Sequence, residues 1–356
     1  MDWLHAVMPI AGIRIFWPGL VILGFGVGII GSFFGMGGAW MVTPGLNILG
    51  FPMAFAIGTD ITHTAGNSLV SALRQFRFGQ VDYKLTLSMI VGTVLGLETG
   101  AQIMMWLERL GVINLYFRWT YVALLTFMAW LVLADLPKRQ HQRGRELANG
   151  RQSYMVPSRL QWQTSLLNAN IPPMVTFKAA RIRCSLWLPV GFSYVAGILA
   201  GLIGLVGGDL RIPALIYLGC PTPIAISTNL FEAAISGLYG AATYSYKGRA
   251  ELGAVLIMVI ATTIGARIGS VATRYVKGHP VRIFFGLAVI GCDLSVILKI
   301  LSASYSNIRM PTDTMATALI LCVVSATSLY ILVAFLWGVA SERSEGRAAV
   351  AVGRGN

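Results

Sequence analysis

Apolar runs long enough to cross about 30 Å of hydrocarbon recur near 13–35, 54–76, 84–107, 113–135, 186–206, 223–246, 250–273, 281–301 and 312–338. Two shorter apolar pieces, 39–51 and 209–219, each follow a Gly-Gly pair, Gly37-Gly38 and Gly207-Gly208. Neither is long enough for a comfortable span, so half-helices, tilted short helices and re-entrant hairpins all remain open. The pattern predicts an all-α polytopic membrane protein with about eight to ten crossings. Backbone polar groups inside a bilayer must pair within the protein, so a Gly-rich break survives there only where it is buried or lines a cavity. The breaks are therefore where a substrate site is sought.

The two breaks belong to one periodicity. Sliding the sequence by 169 positions aligns Pro44 with Pro213, Gly50 with Gly219, Pro52 with Pro221, Ala56-Ile57 with Ala225-Ile226 and Thr59 with Thr228. The same register continues through Gly79 with Gly248, Gly96 with Gly265 and Gly100 with Gly269, and dropping one residue brings Gly37-Gly38 over Gly207-Gly208. Matched Gly and Pro in a common register point to internal duplication. The expected organisation is two homologous repeats of about four to five membrane helices, 13–135 and 186–301. A basic cytoplasmic linker, 136–185, joins them, and one extra C-terminal helix, 312–338, follows. Paired breaks at corresponding positions of two copies point to a transporter site at their interface. If the short pieces cross the membrane the copies are inverted, and if they only dip in the copies are parallel. Inversion is favoured because it brings equivalent breaks together near the midplane.

Composition supports the membrane reading: of 356 residues 56% are hydrophobic and 12% charged, with mean hydropathy +0.70. The net charge of +13 does not imply nucleic acid, because the basic residues cluster in loops between apolar segments. Lys138, Arg139, Arg143, Arg145, Arg151, Arg159, Lys178, Arg181 and Arg183 face a single acid, Glu146, in the linker, which places it on the cytoplasmic side. The amino-terminal stretch lacks a basic n-region, so the first apolar segment is read as retained. The four cysteines have no Cys-x-x-Cys spacing and the four histidines no zinc spacing, and no P-loop occurs, so no metal, cofactor or nucleotide hydrolysis is expected.

Polar residues inside the spans carry the candidate chemistry. Asp60, His63, Asn67, Ser71 and Arg74 recur at helical spacing on one face of 54–76. The matching face of 223–246 carries Asn229, Glu232, Ser236, Gly240 and Thr243. Such stripes either line a pathway or glue helices together. The candidate substrate-binding set is Gly37, Gly38, Trp40, Thr59, Asp60, His63, Asn67, Gly207, Gly208, Arg211, Thr228, Asn229 and Glu232. Arg211 either holds an anionic head group through its planar fork or pairs locally with Asp209. His63, Asp60 and Glu232 are the candidates for proton coupling. Glu98 and Arg267, equivalent under the 169-residue offset and each within a Gly-rich series, are expected to form a structural ion pair across the repeat interface.

The order Gly35-Met36-Gly37-Gly38, Pro44, Gly50-Phe51-Pro52, Ala56-Ile57-Gly58-Thr59 and Gly79-Gln80-Val81-Asp82 resembles the TauE/SafE sulfite exporter family. The second half repeats it with Gly207-Gly208, Pro213, Gly219-Cys220-Pro221, Ala225-Ile226-Ser227-Thr228-Asn229 and Lys247-Gly248-Arg249. The resemblance implies a bacterial or archaeal plasma-membrane transporter with duplicated halves that moves sulfur-containing anions such as sulfite, sulfoacetate or other organosulfonates. The long basic insert, Asp60 with His63, and Asp209 with Arg211 depart from the usual family pattern. Sulfite and a bulkier organosulfonate stay open as substrates, as do export and uptake. The expected activity is secondary transport of a small anion by alternating access; a passive channel and an intramembrane acid–base enzyme using His63, Asp60 and Glu232 are the alternatives.

Overall fold

The computed structural model describes residues 4–34, 38–76, 81–134, 172–177, 179–180, 182–205, 210–275, 279–304 and 309–353. The linker from 136 to 171 and the residues Gly37, Gly207, Gly208 and Asp209 lie outside the described residues. In the first half, strands β1 (His5–Met8) and β2 (Ile13–Phe16) precede helices α1 (Trp17–Phe34), α2 (Ala39–Ile48), α3 (Met53–Phe76), α4 (Tyr83–Arg109) and α5 (Ile113–Ala134). In the second, β3 (Met174–Phe177) and β4 (Ile182–Ser185) precede α6 (Trp187–Ile203), α7 (Arg211–Tyr217), α8 (Thr222–Tyr246), α9 (Leu252–Tyr275) and α10 (His279–Ser304). Helix α11 (Arg309–Gly353) follows and packs against α10, α1 and α9.

The fold is mostly helical, as the apolar pattern predicts, with two small departures. Residues 5–8 pair with 13–16, and 174–177 with 182–185, in antiparallel β-hairpins that replace the expected helix start at 13 and part of the linker. Each hairpin is four residues per strand, and such short runs merge into the apolar or basic stretches beside them. The hairpins begin at His5 and Met174, again 169 positions apart.

Among the described residues four helical segments, Tyr83–Arg109, Leu252–Ala272, Gly286–Ala303 and Thr312–Trp337, are long and apolar enough on their own to cross a membrane. Helices α3 and α8, with 24 and 25 residues, reach about 36 Å at 1.5 Å per residue. Their polar stripes lower their hydropathy, which is tolerable because they pack against each other inside the bundle.

Glycine seams set the helix pairing. A Cβ on Gly92, Gly96 or Gly100 of α4 would meet the backbone of Val190, Tyr194 and Ile198 of α6 in ascending order, so these helices run parallel in close contact. Gly24 and Gly28 of α1 likewise face Met258 and Thr262 of α9, while Gly265 and Gly269 face Phe25 and Ile29. Helices α3 and α8 run antiparallel: Gly240 lies on Ile61, Gly237 on Ala65, and Gly58 by Tyr244 and Arg249.

The short helix α2 neither spans nor dips alone. Gly38 lies against Val27, Gly45 against Leu23, and Leu49 against Gly19, so α2 returns along α1 towards the end from which α1 entered. Three long helices then follow, which brings α6 into the bundle from the end opposite to α1. Both short helices close with one turn. Gly50 N bonds Asn47 O and Phe51 N bonds Leu46 O, while Gly219 N bonds Ile216 O and Cys220 N bonds Leu215 O. The φ values of +112° and +91° at Gly50 and Gly219 are the left-handed conformation that this helix stop needs.

Candidate functional site

The first polar cluster grows from Thr43, the fifth position after Gly38. Thr43 of α2 donates to Asp60 Oδ2 (2.6 Å) and Thr64, one turn along α3, donates to Asp60 Oδ1 (3.1 Å). All three are buried, Asp60 completely. His63 Nδ1 stands 3.9 Å from Asp60 Oδ1. Its Nε2 lies 2.9 Å from Thr262 Oγ1 of α9, whose hydroxyl donates to Gly24 O of α1 (2.9 Å). With that hydroxyl proton committed to a carbonyl, Nε2 carries the ring hydrogen and Nδ1 faces the carboxylate.

The carboxyl-terminal end of α6 meets this cluster. A Cβ on Gly204 would run into Thr43 Oγ1 and come within 3.4 Å of Asp60 Oδ2. The end of α6 is held there by Tyr121 of α5, which donates to Ile203 O, and by Tyr244 of α8, which donates to Gly201 O. These hydroxyls satisfy carbonyls that the helix end leaves without intrahelical partners.

The second cluster is an ion pair between Arg211, the first residue of α7, and Glu232 of α8, both wholly buried. Asn229, one turn before Glu232, is buried, and its Oδ1 accepts from no group among the described residues. Asp60 lies five residues before Ala65, and Glu232 five residues before Gly237, where α3 and α8 touch. The two clusters therefore stand on opposite sides of that contact, each about 7.5 Å of helix rise from it, rather than in one merged pocket.

The other predicted positions fall as follows. Trp40 is buried in the first turn of α2, and Gly38 caps that turn. Asn67 is half-buried on α3. Thr59 and Thr228 are buried, but their hydroxyls accept the backbone N–H of Glu251 (3.1 Å) and Asp82 (3.2 Å) at the starts of α9 and α4. The expected Glu98–Arg267 pair does not form. Glu98 pairs instead with Lys247 at 3.1 Å, with Gln102 and Tyr239 beside it. Arg267 stands exposed on α9, whose glycine seam lies on α1, whereas the seam of α4 lies on α6. Equivalent positions on the two flanks of the bundle need not be neighbours.

Residue-type reasoning missed Thr43, Thr64, Thr262, Tyr121 and Tyr244. The one available signal was spacing: Thr64 lies four residues after Asp60, and Thr43 sits directly before the matched Pro44.

Among known proteins the chain is 24% identical over 286 residues to the probable membrane transporter protein YunE of Bacillus subtilis (strain 168), covering 77% of this chain and 96% of that one. It is 36% identical over 77 residues to the probable membrane transporter protein MJ0441 of Methanocaldococcus jannaschii, covering 20% of this chain and 29% of that protein. No solved structure matches it. The family model for the sulfite exporter TauE/SafE matches residues 20–296, most of the helical bundle. The chain belongs to the sulfite exporter TauE/SafE family and is a multi-pass membrane transporter.

Proposed function

We propose that the protein is a secondary transporter that moves a small sulfur-containing anion, sulfite or an organosulfonate, across the bacterial or archaeal plasma membrane. Alternating access would arise between two inverted repeats. The observation that carries this reading is the wholly buried Arg211–Glu232 pair beside the second break. A guanidinium presents a planar fork of donors that suits a sulfur oxyanion as well as it suits a carboxylate. Glu232 is then the resident counter-ion, and the substrate anion takes its place on Arg211. A carboxylate left without its cation in a dry interior binds a proton rather than stay charged. Anion binding at Arg211 and proton uptake at Glu232 therefore occur together, and Asp60 with His63 offers a second proton-holding place in the first half.

The family description, sulfite exporter, supports a sulfur oxyanion as substrate. Inversion is supported by the entry of α1 and α6 from opposite ends and by the exchanged seams, α1 on α9 and α4 on α6. The basic stretch between α5 and α6 supports a cytoplasmic position for the end where α6 enters.

The test is flux into proteoliposomes with sulfite, taurine and sulfoacetate, alongside thermal shift of the purified protein, since a ligand of the folded state raises its apparent stability. Saturable flux with counterflow, accelerated by a proton gradient, is expected, with E232Q retaining anion binding but losing the gradient dependence. Stabilisation by carboxylates and by no sulfur oxyanion refutes the substrate, and unsaturable flux without counterflow refutes the carrier.

A further inference from the structure

Each β-hairpin is tied into the bundle in one manner. Glu251 Oε2 accepts the backbone N–H groups of Ile10 and Ala11, both at 2.9 Å, in the turn of the first hairpin. Its own N–H donates to Thr59 Oγ1 of α3. Asp82 Oδ2 accepts the N–H groups of Ala179 and Ala180, both at 3.0 Å, in the turn of the second hairpin. Its own N–H donates to Thr228 Oγ1 of α8. Every member of the first set, Ile10, Ala11, Thr59 and Asp82, lies 169 positions before its counterpart Ala179, Ala180, Thr228 and Glu251. The bonds cross between the halves in both cases.

Both carboxylates are buried, Glu251 to 1% and Asp82 to 4% exposure, so their bonds to two N–H groups are charge-assisted and poorly screened. Met8 and Ile15 of one hairpin and Phe177, Ile182 and Cys184 of the other point into the core. The hairpins are seated plugs. They lie at opposite ends, because Asp82 opens α4, which runs parallel to α6, and Glu251 opens α9, which runs parallel to α1. Thr59 and Thr228 each directly precede a residue of a polar cluster, Asp60 and Asn229.

We propose that Asp82 and Glu251 are positioning residues of transport, each latching one hairpin over one end of the bundle and tying its turn to the residue next to a polar cluster. Both latches are engaged in this structure. Releasing one at a time opens the pathway to one side, and a shift of α3 or α8 when a cluster changes occupant pulls on the matching hairpin through Thr59 or Thr228. This rests on the alternating-access reading above, but its test needs no substrate, so failure of sulfite flux and failure of the latches are separate results.

The test uses the full chain in lipid nanodiscs, where both ends face water, and an impermeant maleimide mapped by mass spectrometry. Native Cys184, 3% exposed and with its thiol pushed up by burial, reports on the second hairpin. A cysteine in place of Met8, 2% exposed, reports on the first. E251Q is expected to speed labelling at M8C about tenfold, the scale of one lost charge-assisted bond, and to slow it at Cys184. D82N is expected to do the reverse. A rise confined to the hairpin that lost its latch, with the other end unchanged, or a rise at both ends, overturns the proposal. A second arm does not depend on either variant folding. A Cβ on Gly253 would lie 3.8 Å from the Met8 sulfur, so oxidised M8C/G253C holds the first hairpin down and is expected to raise Cys184 labelling until reductant is added. Unchanged labelling of Cys184 in the locked protein also overturns it.

Discussion

The cluster around Asp60 and the cluster around Glu232 occupy matching places on α3 and α8, yet they are chemically unlike. Position 60 is Asp and its counterpart 229 is Asn; position 63 is His and its counterpart 232 is Glu. The first cluster satisfies one carboxylate with two hydroxyls and faces it with an imidazole. The second neutralises a carboxylate with a guanidinium supplied by the short helix α7. A shared backbone frame therefore carries two different electrostatic arrangements, a hydroxyl-bonded carboxylate beside an imidazole in one half and a buried ion pair in the other.

The largest test of that contrast removes the charge pair. R211L leaves Glu232 without its cation and is expected to cost about 3–5 kcal/mol, read as a lowered midpoint in thermal unfolding in detergent. R211L/E232L is expected to regain most of that stability and to bind no anion. Equal stability of R211L and wild type would mean that the pair does not hold α7 to α8.

A second test asks whether the frame itself is alike on both sides. G96A pushes a methyl into the α6 backbone and G265A pushes one into the α1 backbone. Each is expected to cost about 1–3 kcal/mol by overpacking, whereas G191A, with nothing within 4 Å of the new methyl, is the control. Unequal losses at positions 96 and 265 would break the equivalence of the two seams. The smallest effect is expected from D60N, which makes position 60 match its counterpart. An amide still accepts one of the two hydroxyl bonds, so the cost is about 1 kcal/mol, and calorimetry of the variant checks it.

Much of this frame was legible in the sequence because Gly and Pro mark backbone events that recur wherever the backbone does. Gly50 and Gly219 stop the short helices, and Gly96 and Gly265 let helices touch. Asp60, His63, Asn229 and Glu232 were legible as a stripe because i, i+3 and i+4 positions share a helix face. Thr43, Thr262 and Tyr121 were not, since their partners come from other helices that only the fold brings near. The Glu98–Arg267 expectation failed for a geometric reason: α4 packs on α6 and α9 packs on α1, so the two residues lie on separate flanks of the bundle. The hairpins escaped notice because four-residue strands beside apolar and basic runs give no periodicity of their own.

The seam between α1 and α9 also sets a timetable. Gly28 waits for Thr262, 234 residues later in the chain. At about 5–20 residues per second of synthesis, that wait is about 12–47 s. Throughout it the small-residue face of α1 meets lipid, or whatever insertion factor shelters it. Biogenesis of the first half therefore ends only when the second half arrives, and a chain halted before residue 252 would leave that seam open.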